Sequence, residues 1–280
     1  MGSNLDRWSM RGSLREWATP ERLIATIFFL FTLSCCCMSP REEGFLDRSV
    51  MMGGTRYPYV VYVPRDYDPS RPWPVVLFLH GSGERGNDGL RATQIGAGAA
   101  IRSAPERVPA IVVFPQAPAE SRWLDEPADA AMAALDHVQR EFHCDSHRVY
   151  LTGLSMGGYG TWHLAMAHPK RWAALVVVCG GLLPHETTTA VRQSPLNAGA
   201  ADPYAFTALA VRDLPVWIFH GSDDSVIPVD ESRHMHDSLI QAHDKDVRYT
   251  EYSGVGHNAW EKAYGDPAMW TWLLGQVRKL

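Results

Sequence analysis

The chain has few cysteines and no excess of basic residues, and each shortage excludes a class of protein. Of the five cysteines among 280 residues, three stand together at 35–37, and neither Cys144 nor Cys179 has the spacing of a metal-binding motif. We therefore expect neither a disulfide framework nor a metal site. Lys and Arg number 26 against 31 Asp and Glu, without a basic stripe, so nucleic acid is not an expected partner.

Long apolar runs are also missing. The run at 23–33 ("LIATIFFLFTL") would extend about 17 Å as a helix, against roughly 30 Å for a hydrocarbon core. A weakly basic stretch precedes it and "SCCCMSP" follows it, which favours residues 1–38 as a bacterial-type export leader. The alternatives are a short uncleaved anchor, a true start at Met10, and a lipoprotein signal modified at Cys36. The protein is expected to be periplasmic, secreted or lipoprotein-anchored, with membrane contact only through this leader.

Residues 50–280 contain no internal repeat, low-complexity tract or linker, which predicts one domain. Their apolar runs in the middle of the chain are continuous, as is typical of strands buried on both faces of a sheet. Strands alternate with helices, which predicts an α/β fold whose mostly parallel, twisted sheet carries helices on both faces. The predicted strands are 57–64, 74–80, 110–115, 148–153, 174–179, 215–220 and 247–252, and the predicted helices are 127–142, 159–168 and 267–280.

The segment "LTGLSMGGYGTW" at 151–162 places a serine between glycines, after a strand and before a helix. This G-x-S-x-G pattern is typical of a nucleophile elbow, in which a strained turn exposes the serine hydroxyl to substrate. Gly153 and Gly157 would allow the strand and the helix to pack closely. An ordinary strand-to-helix turn is the alternative, and we predict that Ser155 is a nucleophile.

Glycines also follow the strand at 74–80, in His80-Gly81-Ser82-Gly83. Ligands of such sheets bind beyond the carboxyl ends of the strands. The glycines would let the backbone turn toward Ser155 and direct an amide N–H at a reacting carbonyl oxygen. A second amide would come from Met156 at the helix N-terminus, where amides have no partner within the helix. The alternative is a plain glycine turn.

Two later strand ends carry an acid and a histidine. Asp224 follows the strand 215–220 in "HGSDDSVIP", and His257 follows the last strand in "SGVGHNAW". The chain order Ser, Asp, His is that of α/β-hydrolases. Asp223 competes with Asp224 for the role of the acid, and a solvated loop carboxylate is the structural alternative.

The segments "VVLFLHGSGERGND", "VYLTGLSMGGYGTW", "HGSDDSVIPV" and "GVGHNAW" together resemble α/β-hydrolase esterases related to feruloyl and acetyl-xylan esterases, and proteins described as predicted peptidases or phospholipase/carboxylesterase-like. The resemblance extends from about residue 55 to the last residue. It implies an α/β-hydrolase fold with a serine nucleophile and no metal or organic cofactor. It also implies a triad and two oxyanion-hole amides, which are Ser155, Asp224 and His257, with Ser82 and Met156.

The segment 180–214 bears on the substrate. It contains few bulky residues, which predicts a short cap and an open site for small or carbohydrate-linked esters of acetyl or feruloyl type. Trp123 and Trp260 are candidates to line an aromatic or sugar subsite, although packing is as plausible for each. The sequence thus favours a serine carboxylic ester hydrolase. A serine peptidase of the prolyl oligopeptidase-like superfamily and a non-catalytic binding protein are the alternatives.

Overall fold

A computed structural model describes residues 42–185, 191–242 and 246–278, so the predicted leader at 1–38 lies outside the described residues. Eight strands form one sheet. They are β1 Gly44–Met52, β2 Thr55–Val63, β3 Trp73–Leu79, β4 Ile111–Pro115, β5 Cys144–Leu154, β6 Ala174–Val178, β7 Val216–Gly221 and β8 Val247–Tyr252.

Seven α-helices connect or follow these strands in the described ranges. They are α1 Ala97–Ser103, α2 Asp125–Glu141, α3 Met156–Ala167, α4 Pro203–Ala210, α5 Asp230–Ala242, α6 Trp260–Gly265 and α7 Pro267–Gly275. Short 3-10 turns occur at Ser82–Glu84, Arg91–Thr93 and Pro105–Arg107. None of these helices has both the length and the apolar character that crossing a membrane requires.

The strands lie in the order β1-β2-β4-β3-β5-β6-β7-β8. The pairs β1–β2 and β2–β4 are antiparallel. Every pair from β4–β3 through β7–β8 is parallel. The prediction of a mostly parallel sheet is confirmed, and the carboxyl ends of β3, β5, β6, β7 and β8 therefore meet along one edge.

Helices cover both faces of the sheet, as predicted. The side chains of β3 alternate between two cores: Val75, Leu77 and Leu79 pack with α2 to α5, whereas Val76 and Phe78 pack with α1, α6 and α7. A strand between two such cores has no solvated face, which explains its continuous apolar sequence.

The first strand was not predicted, and the predicted domain start at residue 50 falls inside it. β1 pairs along its whole length with β2 through a turn at Gly53 and Gly54, both of which have positive φ. As the edge strand it is only half-buried. Its Arg48 lies 2.7 Å from Glu141 at the end of α2, so β1 is attached to the helical layer as well as to the sheet.

The cap between β6 and β7 is short. Its described parts, 180–185 and 191–214, contain α4 as their one α-helix. The side chain of Asp202 caps that helix by accepting from the amides of Tyr204 and Ala205. This agrees with the short cap expected from the scarcity of bulky residues.

Candidate active site

Ser155 occupies the turn between β5 and α3 with φ +51° and ψ −120°. Non-glycine residues rarely adopt positive φ, and such conformations concentrate at functional sites. The Ser155 amide donates to the Val178 carbonyl at 3.0 Å. A Cβ atom on Gly157 would stand 2.0 Å from the Leu79 carbonyl oxygen, and one on Gly153 would stand 2.3 Å from the Gly157 oxygen. The glycines thus permit the close contacts that support the strained turn.

His257 stands between the serine and an acid. Its Nε2 lies 2.9 Å from the Ser155 Oγ, and its Nδ1 lies 2.7 Å from Asp224 Oδ2. Because a carboxylate only accepts, Nδ1 carries the proton and Nε2 is left to accept the serine hydroxyl. The three sequence-predicted side chains are therefore brought into one hydrogen-bonded chain.

Asp224 is buried in this chain, whereas its neighbour is not. Its Oδ1 accepts from the amides of Val226 and Ile227 at 2.8 and 2.9 Å. Burial would raise the pKa of Asp224, but hydrogen bonds from His220, His257 and the Ile227 amide outweigh it and hold that pKa well below its usual range. Asp223 is exposed and accepts from the Ser222 hydroxyl. The geometry therefore favours Asp224.

The two predicted oxyanion-hole amides belong to the loop after β3 and to the start of α3. Met156 is the first residue of α3, and a Cβ on Gly81 would stand 3.6 Å from the Ser155 Cβ, so the loop after β3 passes close to the nucleophile. In the described ranges no carbonyl accepts from either amide. The amide of Gly81 donates to the carboxylate of Glu84, although burial still raises the pKa of that carboxylate. Because the Gly81 amide is already bonded, the amide of Ser82 is the first in this loop that has no acceptor among the described residues.

The side chain of His80 bonds to this loop and fixes its conformation. It is fully buried, with Nδ1 2.5 Å from the Gly81 carbonyl and Nε2 3.0 Å from the Ala117 amide. Nδ1 therefore donates and Nε2 accepts, which fixes one neutral tautomer. Burial lowers the pKa of His80 to about 4. The residue has a structural role that its place in the quoted motif did not reveal.

The two tryptophans differ. Trp123 is only 2 % exposed, donates its indole N–H to the His80 carbonyl at 2.9 Å and packs edge-on against the His80 ring. Trp123 also lines a small cavity together with Met156 and Tyr159, so its place at a substrate subsite stays a prediction. Trp260 is partly exposed, with its ring 5.3 Å from that of His257. It stays a candidate for the substrate surface.

One polar residue of the site has no predicted role. His220, at the end of β7, is fully buried, and its Nε2 lies 3.1 Å from Asp224 Oδ2. The sequence did carry a signal: a histidine follows the continuous apolar run "PVWIF", and a buried polar group needs a hydrogen-bond partner.

In the described part of the chain, one group of side chains has the separation that a metal ion needs. Atoms of Cys179, Asp224 and His257 lie within 4.8 Å of one another. Burial and the nearby Asp224 raise the pKa of the Cys179 thiol well above its ordinary value, and a protonated thiol is a poor metal ligand. The other two side chains already bond each other. The donor chemistry therefore favours a triad over a metal centre.

The curated relatives of the chain include a protein named as an esterase and one named as a depolymerase. It is 25% identical over 186 residues to a probable feruloyl esterase C of Aspergillus terreus, a match covering 65% of this chain and 60% of that protein. It is 25% identical over 232 residues to a poly(3-hydroxyoctanoate) depolymerase of Pseudomonas fluorescens, covering 75% and 78%. The chain thus spans about 60% of the length of the Aspergillus relative.

A solved structure and a family profile also match the chain. The crystal structure of a thermostable esterase superposes with a TM-score of 0.70 at 32% identity, over 84% of this chain and 63% of that one. This likeness confirms the predicted α/β-hydrolase fold. Residues 118–278, more than half of the chain and the part that contains Ser155, Asp224 and His257, match the profile of the prolyl oligopeptidase family. The chain belongs to that family.

Proposed function

We propose that the protein is a serine hydrolase that cleaves carboxylic esters through an acyl-enzyme. The observation that carries the proposal is the position of His257, within hydrogen-bonding distance of both Ser155 and Asp224. A histidine so oriented serves as the base for a serine nucleophile. The strained turn under Ser155 supports the same role, because it holds the hydroxyl clear of the sheet.

The reaction follows from these contacts. His257 Nε2 takes the hydroxyl proton as Ser155 Oγ attacks the acyl carbon, and Asp224 stabilises the imidazolium that forms. The amides of Ser82 and Met156 would bind the oxyanion, and each such donor contributes about 10²–10³ in rate. His257 then returns the proton to the leaving alcohol. Water, activated by the same imidazole, releases the acid and restores Ser155.

Ester substrates are favoured over peptides by the relatives, among which are proteins named feruloyl esterase C. Within the ester class we propose small or carbohydrate-linked substrates of acetyl or feruloyl type. The short cap and the partly exposed Trp260 support an open site with an aromatic surface. The family name favours a second candidate, a serine peptidase. Against it, described residues before 118 complete the sheet rather than form a separate domain that would restrict peptides.

The test compares Ser155→Ala with a control at the exposed Ser103 at the end of α1. We expect Ser155→Ala to lose fluorophosphonate labelling and turnover of p-nitrophenyl acetate, and Ser103→Ala to retain both. Circular dichroism checks that each variant is folded. Labelling that persists in Ser155→Ala would reject the nucleophile. A panel of acetyl, butyryl and feruloyl esters and a peptide anilide then separates the substrate classes, and faster cleavage of the anilide would favour the peptidase.

We also propose that the leader at 1–38 exports the protein. The apolar run at 23–33 and the Ser/Cys/Pro segment after it support this. N-terminal sequencing and intact mass of protein from its native host test the proposal. A mature chain that starts near residue 38, or at a lipidated Cys36, is expected. A chain that starts at Met1 or Met10 would contradict cleavage.

A further inference from the structure

His220 ends the apolar part of β7 and has no side-chain surface in contact with solvent. Both of its ring nitrogens have partners. Nε2 lies 3.1 Å from Asp224 Oδ2 and 3.0 Å from the Ile227 carbonyl oxygen, and Nδ1 lies 2.6 Å from the Ser232 hydroxyl on α5.

These partners determine the tautomer. The Asp224 carboxylate and the Ile227 carbonyl can only accept, so the proton of His220 is on Nε2 and is shared between them. Nδ1 then accepts from the Ser232 hydroxyl. The neutral imidazole satisfies all three contacts, so His220 is a fixed donor to the acid.

The contacts of Asp224 show what this donor does. Oδ1 accepts from the Val226 and Ile227 amides, and Oδ2 accepts from His257 and His220. Four N–H groups from two directions leave the carboxylate no alternative rotation. Without His220, Oδ2 would keep His257 as its remaining side-chain donor.

We propose that His220 is a positioning residue for the reaction, a neutral imidazole that holds the Asp224 carboxylate in the orientation that His257 requires. The inference rests on the proposed function. His220 exchanges no proton during turnover in this account. Its effect passes through Asp224 to the orientation of the base.

Few other charged or titratable groups face this pair. Glu251 on β8 pairs with His220 across the strands and is bound by Arg233 at 2.6 Å. Burial raises the pKa of Tyr159 on α3, followed by the charges of Glu231 and Asp224, and burial followed by the Asp224 charge raises that of Cys179 after β6. Both are neutral near pH 7, so His220 and His257 are the described side chains that donate hydrogen bonds to Asp224.

Two amide variants separate a positioning role from a structural one. In His220→Gln the amide nitrogen reaches the position of Nε2 and can donate to Asp224, whereas in His220→Asn it reaches only that of Nδ1. We expect His220→Asn to lower kcat and the rate constant of fluorophosphonate labelling about 10- to 100-fold, as the loss of a hydrogen bond to a charged group implies. KM should stay within about threefold, and His220→Gln should stay within about fivefold of the wild type.

The matched control is His163 on α3, whose Nδ1 lies 2.8 Å from the Ser194 hydroxyl without a triad residue in the network. His163→Asn should lower the thermal midpoint while labelling stays within about twofold. Two results would refute the positioning role and leave the proposed function intact. One is a labelling rate of His220→Asn equal to that of the wild type, and the other is an equal loss of labelling rate in His220→Asn and His220→Gln. A wild-type chain that neither labels nor hydrolyses esters would overturn the proposed function and this inference with it.

Discussion

Two buried histidines lie at the carboxyl ends of two strands of the same sheet, and they carry their protons on opposite ring nitrogens. Each of them holds a different half of the site. His80 after β3 donates from Nδ1 to the Gly81 carbonyl and accepts at Nε2 from the Ala117 amide. His220 in β7 donates from Nε2 and accepts at Nδ1. The first holds a backbone loop and the second holds a carboxylate. The proposed oxyanion half therefore consists of backbone fixed by buried side chains, and the proposed acid–base half consists of side chains bonded to one another.

This difference predicts where substitutions act, and the largest effect is expected in the acid–base half. Asp224→Asn keeps the shape of the acid but permits the wrong imidazole tautomer at His257, which lowers turnover by about 10⁴ in a well-studied serine protease. We expect a loss of that order in kcat near neutral pH. The measurement is turnover of a chromogenic ester, with circular dichroism to check folding.

The neighbouring carboxylate is the matched control. Asp223 is exposed and bonds only the Ser222 hydroxyl among the described side chains, so Asp223→Asn should retain turnover within about tenfold, or roughly 1.4 kcal/mol in barrier. If Asp223→Asn is the impaired variant, the acid is misassigned by one residue and the acid–base half described above is wrong.

In the oxyanion half a substitution should affect stability first. Trp123 is buried beneath the loop that carries Ser82, so Trp123→Ala should lower the free energy of unfolding by about 3–5 kcal/mol. The partly exposed Trp260 packs against His257, and Trp260→Ala should cost less stability while changing kcat/KM by up to about tenfold. Urea unfolding and ester kinetics on both variants test this contrast. A larger stability loss in Trp260→Ala would contradict it.

Another predicted effect is a dependence of stability on pH. Burial lowers the pKa of His80 to about 4 in the folded state, against about 6.5 when unfolded. The unfolded chain therefore binds a proton more readily as pH falls below 6.5. The free energy of unfolding should decline by about 2–3 kcal/mol between pH 7 and pH 4.5 from this residue.

His80→Asn cannot titrate and places an amide nitrogen near Nδ1, so its unfolding free energy should change less over the same range. Urea unfolding at pH 7, 5.5 and 4.5 measures both slopes. Asp224 does not add to the decline between pH 7 and pH 4.5. Its pKa is held below its usual range, so its contribution to the free energy of unfolding is lost only at lower pH. Equal slopes in the two proteins would mean that other groups cause the decline.

The strands β3, β4 and β6, which lie between two helical layers, could be predicted from sequence because every position in them is apolar. The predictions of 74–80, 110–115 and 174–179 each fall within one residue of the observed bounds. β1 was missed because an edge strand is half-solvated and carries charges such as Asp47 and Arg48. α5 was missed for a related reason: two of its buried residues, Glu231 and Ser232, are polar.

The structure places Ser155, Asp224 and His257 in contact with one another. The sequence allowed these three to be selected because each follows a strand in a recognisable motif. Contacts between motifs were not visible in the same way. His220 takes its role from Ser232, which lies on a helix that was not predicted, and from Asp224. The packing of Trp123 on His80 was not visible either, because a tryptophan in a loop gives the same sequence pattern whether it is exposed or buried.

The separation of nucleophile and base along the chain also affects the order in which the site is completed during synthesis. Ser155 precedes His257 by 102 residues, which take about 5–20 s to synthesise at roughly 5–20 residues per second. During that interval the nascent chain contains the serine without the histidine that would activate it. β8 must then pair with β7 before His257 can reach its place. The growing chain is therefore inert toward esters until this last strand docks.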